Sequence, residues 1–164
     1  VDQKLFYIAV TVAVYKDGRF LIIQRSEKEK FLPGVWIIPG GKITTADFTS
    51  RPPDSPIGKQ WYNITEQVVE REAEEEVNIA IKNIRYLTNT VDIRPDGNPG
   101  FTIILLADWE SGEVKIDPEE VADFAWVNLD EAKSYGLFEG VYEVLEMAYR
   151  VINGKDKGLL KLNS

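Results

Sequence analysis

The chain contains no cysteine and no histidine. The first absence excludes disulfides, thiolate metal sites and cysteine nucleophiles. The second removes imidazole as general base or metal ligand, so proton transfer falls to Glu, Asp, Lys, Tyr or a water acidified by a metal. Long apolar runs are also missing: nothing approaches the roughly 18–20 residues that cross a bilayer. The first residues alternate instead of forming a continuous signal-peptide core, so a cytoplasmic location is the expectation and a membrane partner is not. Positive charge is scarce, with 19 Lys and Arg against 27 Asp and Glu and a formal net charge of −8. That balance opposes broad nucleic-acid binding, which depends on neutralising backbone phosphates.

What is present suits one domain. At 164 residues and 44% hydrophobic content, the chain is long enough to bury a core and short for two domains. Residues 5–15 are rich in β-branched and aromatic side chains, and Asp17-Gly18 reads as a tight turn into a strand at 19–25. Further strands are expected at 35–38, 80–92, 101–109 and 123–128. A turn over Pro95-Asp96-Gly97-Asn98-Pro99-Gly100 joins the second and third of these. A helix should start near Asn63, with Glu66 completing a capping box. A last helix spans 138–152, where Val141, Val144, Leu145, Ala148 and Ile152 recur at helical spacing. From about 153 a polar tail, Gly154-Lys155-Asp156-Lys157-Gly158, is expected to be loose. The order of elements suits an α/β layered domain with a mixed sheet. A homodimer is left open.

The chemistry concentrates in Arg71-Glu72-Ala73-Glu74-Glu75-Glu76-Val77-Asn78-Ile79. As a helix this segment stacks Glu72, Glu75 and Glu76 on one face, where like charges repel by roughly 0.2–0.5 kcal/mol per pair. Acidic runs are usually solvated faces. Mg²⁺, a hard cation that binds between carboxylates and substrate phosphates, would offset the repulsion. Upstream, Leu32 to Lys42 sets a short apolar strand before the turn Pro39-Gly40-Gly41. Paired glycines let backbone come close to a ligand or metal, because no Cβ intervenes.

Together these segments resemble the Nudix hydrolase family. Its box runs glycine, five residues, glutamate, seven residues, then Arg-Glu-apolar-any-Glu-Glu-any-Gly-apolar. Gly41 resembles the opening glycine, and Arg71, Glu72, Ala73, Glu75, Glu76 and Ile79 match the second half. Asn63 stands where the first glutamate is expected, and Asn78 replaces the late glycine, a substitution compatible with a left-handed helix end. Residues 42–62 then read as an insertion splitting the box, within which Asp47 or Asp54 is the candidate for the missing charge.

The resemblance implies an α/β/α sandwich and metal-dependent hydrolysis of a diphosphate linkage in a nucleoside diphosphate derivative, such as ADP-ribose. Mg²⁺, with Mn²⁺ as a substitute, would be held by Glu72, Glu75, Glu76 and the Gly41 carbonyl. Arg71 would orient the glutamates, and Arg25, Gly40, Gly41 and Lys42 would face substrate. Glu119 and Glu120 sit where members carry a catalytic acid on a loop, although acids after Asp117-Pro118 also suit the first turn of a helix. Phe48, Trp61 and Tyr62 are candidates to stack on a base or to form core. The spacing of Pro95 is similar to that in ADP-ribose-cleaving members. The isoprenoid isomerase branch relies on a cysteine absent here. The competing class is a non-catalytic nucleotide-binding module of the same fold.

Overall fold

The computed structural model describes residues 5–55, 57–94 and 96–155. Pro95, Pro56 and the tail from Asp156 onward lie outside the described residues.

Strands β1 (Tyr7–Lys16) and β2 (Arg19–Arg25) form the expected hairpin. Lys16 pairs with Arg19, leaving Asp17 and Gly18 as a two-residue loop with φ of 47° and 84°. Positive φ at both positions gives a turn whose twist matches the flanking strands, and Asp-Gly adopts it readily. Strands β3 (Trp36–Ile37) and β4 (Gly40–Lys42) flank the Pro-Gly turn. Strands β5 (Ala80–Ile93), β6 (Pro99–Ser111) and β7 (Val121–Val127) complete the sheet among the described residues. Its order is β3-β2-β1-β6-β5, with β4 paired to β1 and β7 to β2. Because β1 runs parallel to β6 and antiparallel to β2 and β4, the sheet is mixed.

β1 is buried on both sides, and its alternation assigns the layers. Val10, Val12 and Val14 pack with Val68, Val69, Ala73 and Val77 of helix α2 (Ile64–Val77). Ala13 faces the other layer, where Phe20, Ile22, Leu87 and Leu106 meet Val144, Leu145 and Ala148 of helix α4 (Val141–Ile152). The result is the expected α/β/α arrangement. Each fully buried valine of α2 contributes about 1.5–3 kcal/mol. That exceeds the roughly 0.2–0.5 kcal/mol of repulsion per glutamate pair, so packing holds the acidic helix in place. No helix among the described residues is long and apolar enough to cross a membrane.

The ends of α2 differ in how well the sequence announced them. Asn78 closes the helix in a left-handed conformation (φ 57°), its N–H donating to the carbonyls of Ala73 and Glu74. Asn63 is the N-cap, but the expected capping box does not form. Its backbone is left-handed (φ 56°) and its side chain makes no cap bond, while Glu66 accepts from the Thr65 hydroxyl. An extended backbone at the cap residue is what normally aims its side chain at the first turn. A capping box does occur at Asn128 and Glu131, opening the short helix α3 (Leu129–Ala132).

The segment after the Gly-Gly turn has internal order. It contains the short helix α1 (Ala46–Thr49), and the Phe48 and Trp61 rings lie 5.2 Å apart. Trp61 Nε1 donates to the Arg51 carbonyl at 3.1 Å, and Arg51 forks onto Asp54 at 2.7 and 3.0 Å. Phe48 and Trp61 thus form a small internal cluster, while Tyr62 is exposed.

Candidate catalytic site

Glu72 and Glu76 are successive turns of one helix face, and both are buried. The loop before β7 adds Glu120. One carboxylate oxygen from each lies within 4.8 Å of the others. Glu120 is carried on a turn at 118–120 that leads directly into β7, not on a helix. The turn is fixed by two backbone bonds: Ser26 N–H donates to the Glu120 carbonyl, and Glu120 N–H to that of Asp117. Glu119 points elsewhere, pairing at the surface with Lys28 at 2.5 Å.

The two glycines are required by close approach. A Cβ on Gly41 would lie 2.0 Å from Glu72 Oε1, so the carboxylate packs directly on the backbone there. Gly40 has φ 152°, and a Cβ on it would lie 2.3 Å from the Val10 carbonyl oxygen. Gly40 N–H donates to Glu76 Oε2 at 3.2 Å. The turn therefore brings backbone against both buried glutamates.

Arg71 gathers the acids around it. It donates to Glu72 Oε1 at 2.8 Å and to Glu75 Oε2 at 2.6 Å, and its Nη2 is 3.0 Å from Asp47 Oδ1. Burial alone would lower the guanidinium pKa, but Glu75, Glu72 and Asp47 outweigh it and hold the group above its ordinary value. Glu75 stands apart from the Glu72, Glu76 and Glu120 cluster, its exposed side chain drawn to Arg71 one turn earlier.

Asp47, not Asn63, stands where an acid meets the helix. Five residues separate it from Gly41, the spacing of the family box, and it stands on Arg71, whereas Asn63 caps α2. Burial would raise the Asp47 carboxyl, but hydrogen bonds from the Thr44 N–H and hydroxyl, together with the Arg71 charge, hold it below the usual range. Counted from Asp47, the chain beyond the family spacing would fall within 48–70, against the expected 42–62. Counting five residues from Gly41 would have found Asp47. Asp54 is occupied with Arg51 and with the Tyr62 N–H.

The cluster is short of positive charge. Burial, then the neighbouring Glu72 charge, pushes the Glu76 carboxyl up to about 8 against the opposing Gly40 N–H. Burial also raises Glu72, with Arg71 opposing, and raises Glu120, reinforced by Glu29 and Asp117. Arg25 exerts a favourable charge on both Glu76 and Glu120, but its guanidinium is committed to Glu29 and, through Nε, to the Phe31 carbonyl at 2.8 Å. Lys42 lies with its Nζ 5.5 Å from the centre of the Tyr7 ring. Three converging carboxylates, two of them buried and incompletely neutralised, form a hard oxygen donor set that fits Mg²⁺ or Mn²⁺.

The profile described as the NUDIX domain matches residues 5–147. The chain belongs to the Nudix family. Among curated relatives, the NAD-capped RNA hydrolase NudC of Photobacterium profundum is 30% identical over 122 residues, covering 74% of this chain and 38% of that protein. The NudC of Mannheimia succiniciproducens is 42% identical over 67 residues, 40% of this chain and 24% of the relative. The chain thus matches well under half the length of either. Among solved structures, the MutT Nudix hydrolase of Burkholderia pseudomallei superposes with a TM-score of 0.69 at 27% identity, covering 88% of this chain and 98% of that one. The Nudix domain of Shewanella oneidensis NrtR, solved with ADP-ribose, gives a TM-score of 0.65 at 20% identity, covering 93% and 90%, and shares the fold.

Proposed function

We propose that the chain is a metal-dependent hydrolase of nucleoside diphosphate derivatives. Water attacks a phosphorus of the diphosphate, the bridging P–O bond breaks, and a nucleoside monophosphate and a second phosphorylated product leave. The observation that carries this reading is the convergence of Glu72, Glu76 and Glu120 beside the Gly40-Gly41 turn.

Glu72 and Glu76, with the Gly41 carbonyl, would hold Mg²⁺ or Mn²⁺, and Glu75 would reach inward as a further ligand. Such a cation neutralises phosphate oxygens and acidifies water. Glu120, on the loop opposite α2, is placed to take the proton of the attacking water. Burial raises its carboxyl above the ordinary value, the direction that makes a carboxylate a stronger base. Arg71 positions Glu72 and is itself braced by Asp47. Arg25, Gly40 and Lys42 line the substrate side. The NudC relatives and the ADP-ribose-bound neighbour support a dinucleotide or nucleotide-sugar diphosphate as substrate. The non-catalytic alternative rests on a missing carboxylate, and the contact of Asp47 with Arg71 supports the catalytic reading over it.

The test is product release from a panel of ADP-ribose, NAD⁺, NADH and nucleoside triphosphates, with Mg²⁺, Mn²⁺ or EDTA. The proposal expects metal-dependent turnover of at least one diphosphate with phosphorylated products. Absence of turnover across the panel with either metal would sink it.

A further inference from the structure

The loop between β2 and β3 closes around one side chain, that of Arg25. Pairing of β2 with β7 runs evenly from Phe20 opposite Val127 to Gln24 opposite Asp123, then slips, so that Arg25 lies opposite Val121. A bulge of this kind re-aims a side chain, and bulges gather beside active sites. Here the slip falls next to Glu120. Ser26 N–H donates to the Glu120 carbonyl at 2.8 Å, and the Arg25 charge acts on both Glu76 and Glu120.

The re-aimed guanidinium is held by two acceptors. Glu29 Oε2 accepts from its Nη2, and the Phe31 carbonyl accepts from its Nε at 2.8 Å. Both acceptors are themselves fixed. Glu29 N–H donates to the Ser26 carbonyl at 3.1 Å, closing a turn, and the Phe31 ring packs 4.7 Å from the Arg94 guanidinium, which lies 4.2 Å from the Tyr7 ring on its other contact. The Arg25 main chain is clamped as well, its N–H donating to the Val35 carbonyl at 3.0 Å and its carbonyl accepting from Gly34 N–H at 3.1 Å. An exposed ion pair between two mobile side chains contributes little. This one is only 17% and 29% exposed and fixes the plane of the guanidinium.

A guanidinium carries five donors in one plane, and the two acceptors occupy only the Nε and Nη2 side. Among the described residues Nη1 makes no hydrogen bond, and it keeps contact with solvent. Donors held in a fixed plane match the oxygens of a phosphate. We propose that Glu29 is a positioning residue, which by holding Nη2 turns Nη1 of Arg25 toward the diphosphate of a substrate bound at Glu72, Glu76 and Glu120. Its carboxylate does not touch the substrate and acts only through Arg25. This rests on the diphosphate hydrolase reading.

Calorimetric titration of α,β-methylene-ADP-ribose with Mg²⁺, whose bridge water cannot split, reads the placement of Arg25 without turnover. Glu29→Ala should weaken binding about tenfold and, on the substrate, raise KM more than it lowers kcat, as a misplaced binding group does. Glu29→Gln keeps an acceptor at the same reach and should restore most of the affinity, whereas Glu29→Asp, one methylene short, should not. In the Arg25→Met background Glu29→Ala should cause no further loss, because residues that act as one unit are not additive. Lys28→Ala, in the same loop but paired with Glu119, should bind as wild type does. Melting curves check folding, and Glu29→Asp carries the test if the alanine variant is unstable. Affinity in Glu29→Ala equal to or tighter than that of wild type, or a loss that adds in full to that of Arg25→Met, overturns the proposal. Analogue binding that depends on Glu29 in a protein that hydrolyses nothing on the substrate panel would remove the hydrolase reading alone. Turnover by Glu29→Ala with the kcat and KM of wild type would remove the role of Glu29 alone.

Discussion

Asp47 Oδ1 lies 3.0 Å from Arg71 Nη2, joining the segment after the Gly-Gly turn to the acidic helix across the extra chain between them. Arg71 holds Glu72 with the same nitrogen, so the carboxylate of Asp47 and that of a metal-binding candidate share one anchor. The pairing is a positioning device: it fixes the plane of the guanidinium, and the guanidinium fixes Glu72.

Asp47→Asn is therefore expected to lower kcat about tenfold or more with a smaller change in KM, as a misplaced catalytic group does. Asp47→Glu should restore part of the loss. Asn63→Gly, which keeps the left-handed cap, should leave turnover near wild type. If steady-state kinetics rank the Asn63 variant as the more damaging, the assignment of Asp47 to the box is wrong.

Glu76→Gln should remove activity by about a hundredfold or more, the scale of losing a group that stabilises the transition state. Glu75→Gln should cost less, because Glu75 is exposed and outside the close cluster. Mg²⁺ titrations should show the same order. Equal defects would make Glu75 as strong a ligand as Glu76, against the geometry of the close cluster.

Without metal, Glu76 makes stability depend on pH. Its folded pKa, about 8, lies above the ordinary value of 4.5, so it contributes stability that is fully present below about pH 4.5 and lost as pH rises through 8. The melting temperature in EDTA should accordingly fall from pH 5 towards 8.5, and saturating Mg²⁺ should flatten the slope. Glu76→Gln should raise the apo melting temperature at pH 8.5. Even one unit of the shift is about 1.4 kcal/mol, equivalent to roughly 3–6 °C in a domain near this size. A pH-independent apo melting temperature would rule out the buried, uncompensated carboxyl.

The loop acids separate cleanly. Glu120→Gln should reduce kcat by about a hundredfold, within the range of general-base contributions, with little effect on Mg²⁺ affinity. Glu119→Gln should change little, since it removes only a surface ion pair with Lys28. Wild-type kcat in the Glu120 variant would eliminate the loop base and leave Glu72, or hydroxide formed on the metal, to do its work.

The layered fold was legible because hydrophobic alternation and helical spacing are strong over β1, α2 and α4. The glutamates and the Gly-Gly turn were legible because their spacing is local. Asp47 was only half legible: it was named as a source of charge but not given its place, since the extra chain lies on the far side of it. The stacking of Arg94 between Tyr7 and Phe31 was not legible at all, because strand pairing and the β2–β3 loop bring these residues together and no sequence window contains them.

The parallel pairing of β1 with β6 also bears on how the protein assembles. Tyr7 meets Gly100 and Tyr15 meets Asp108, so this central contact closes a loop of roughly ninety residues, a long separation that slows folding. Glu72 and Glu76 on α2, the Gly-Gly turn on β4 and Glu120 ahead of β7 are held in register only once β1 is seated. An ion bound among them therefore recognises the finished sheet and not a fragment of it. Metal would raise the resistance of the whole domain to unfolding by mass action, even at residues distant from the glutamates.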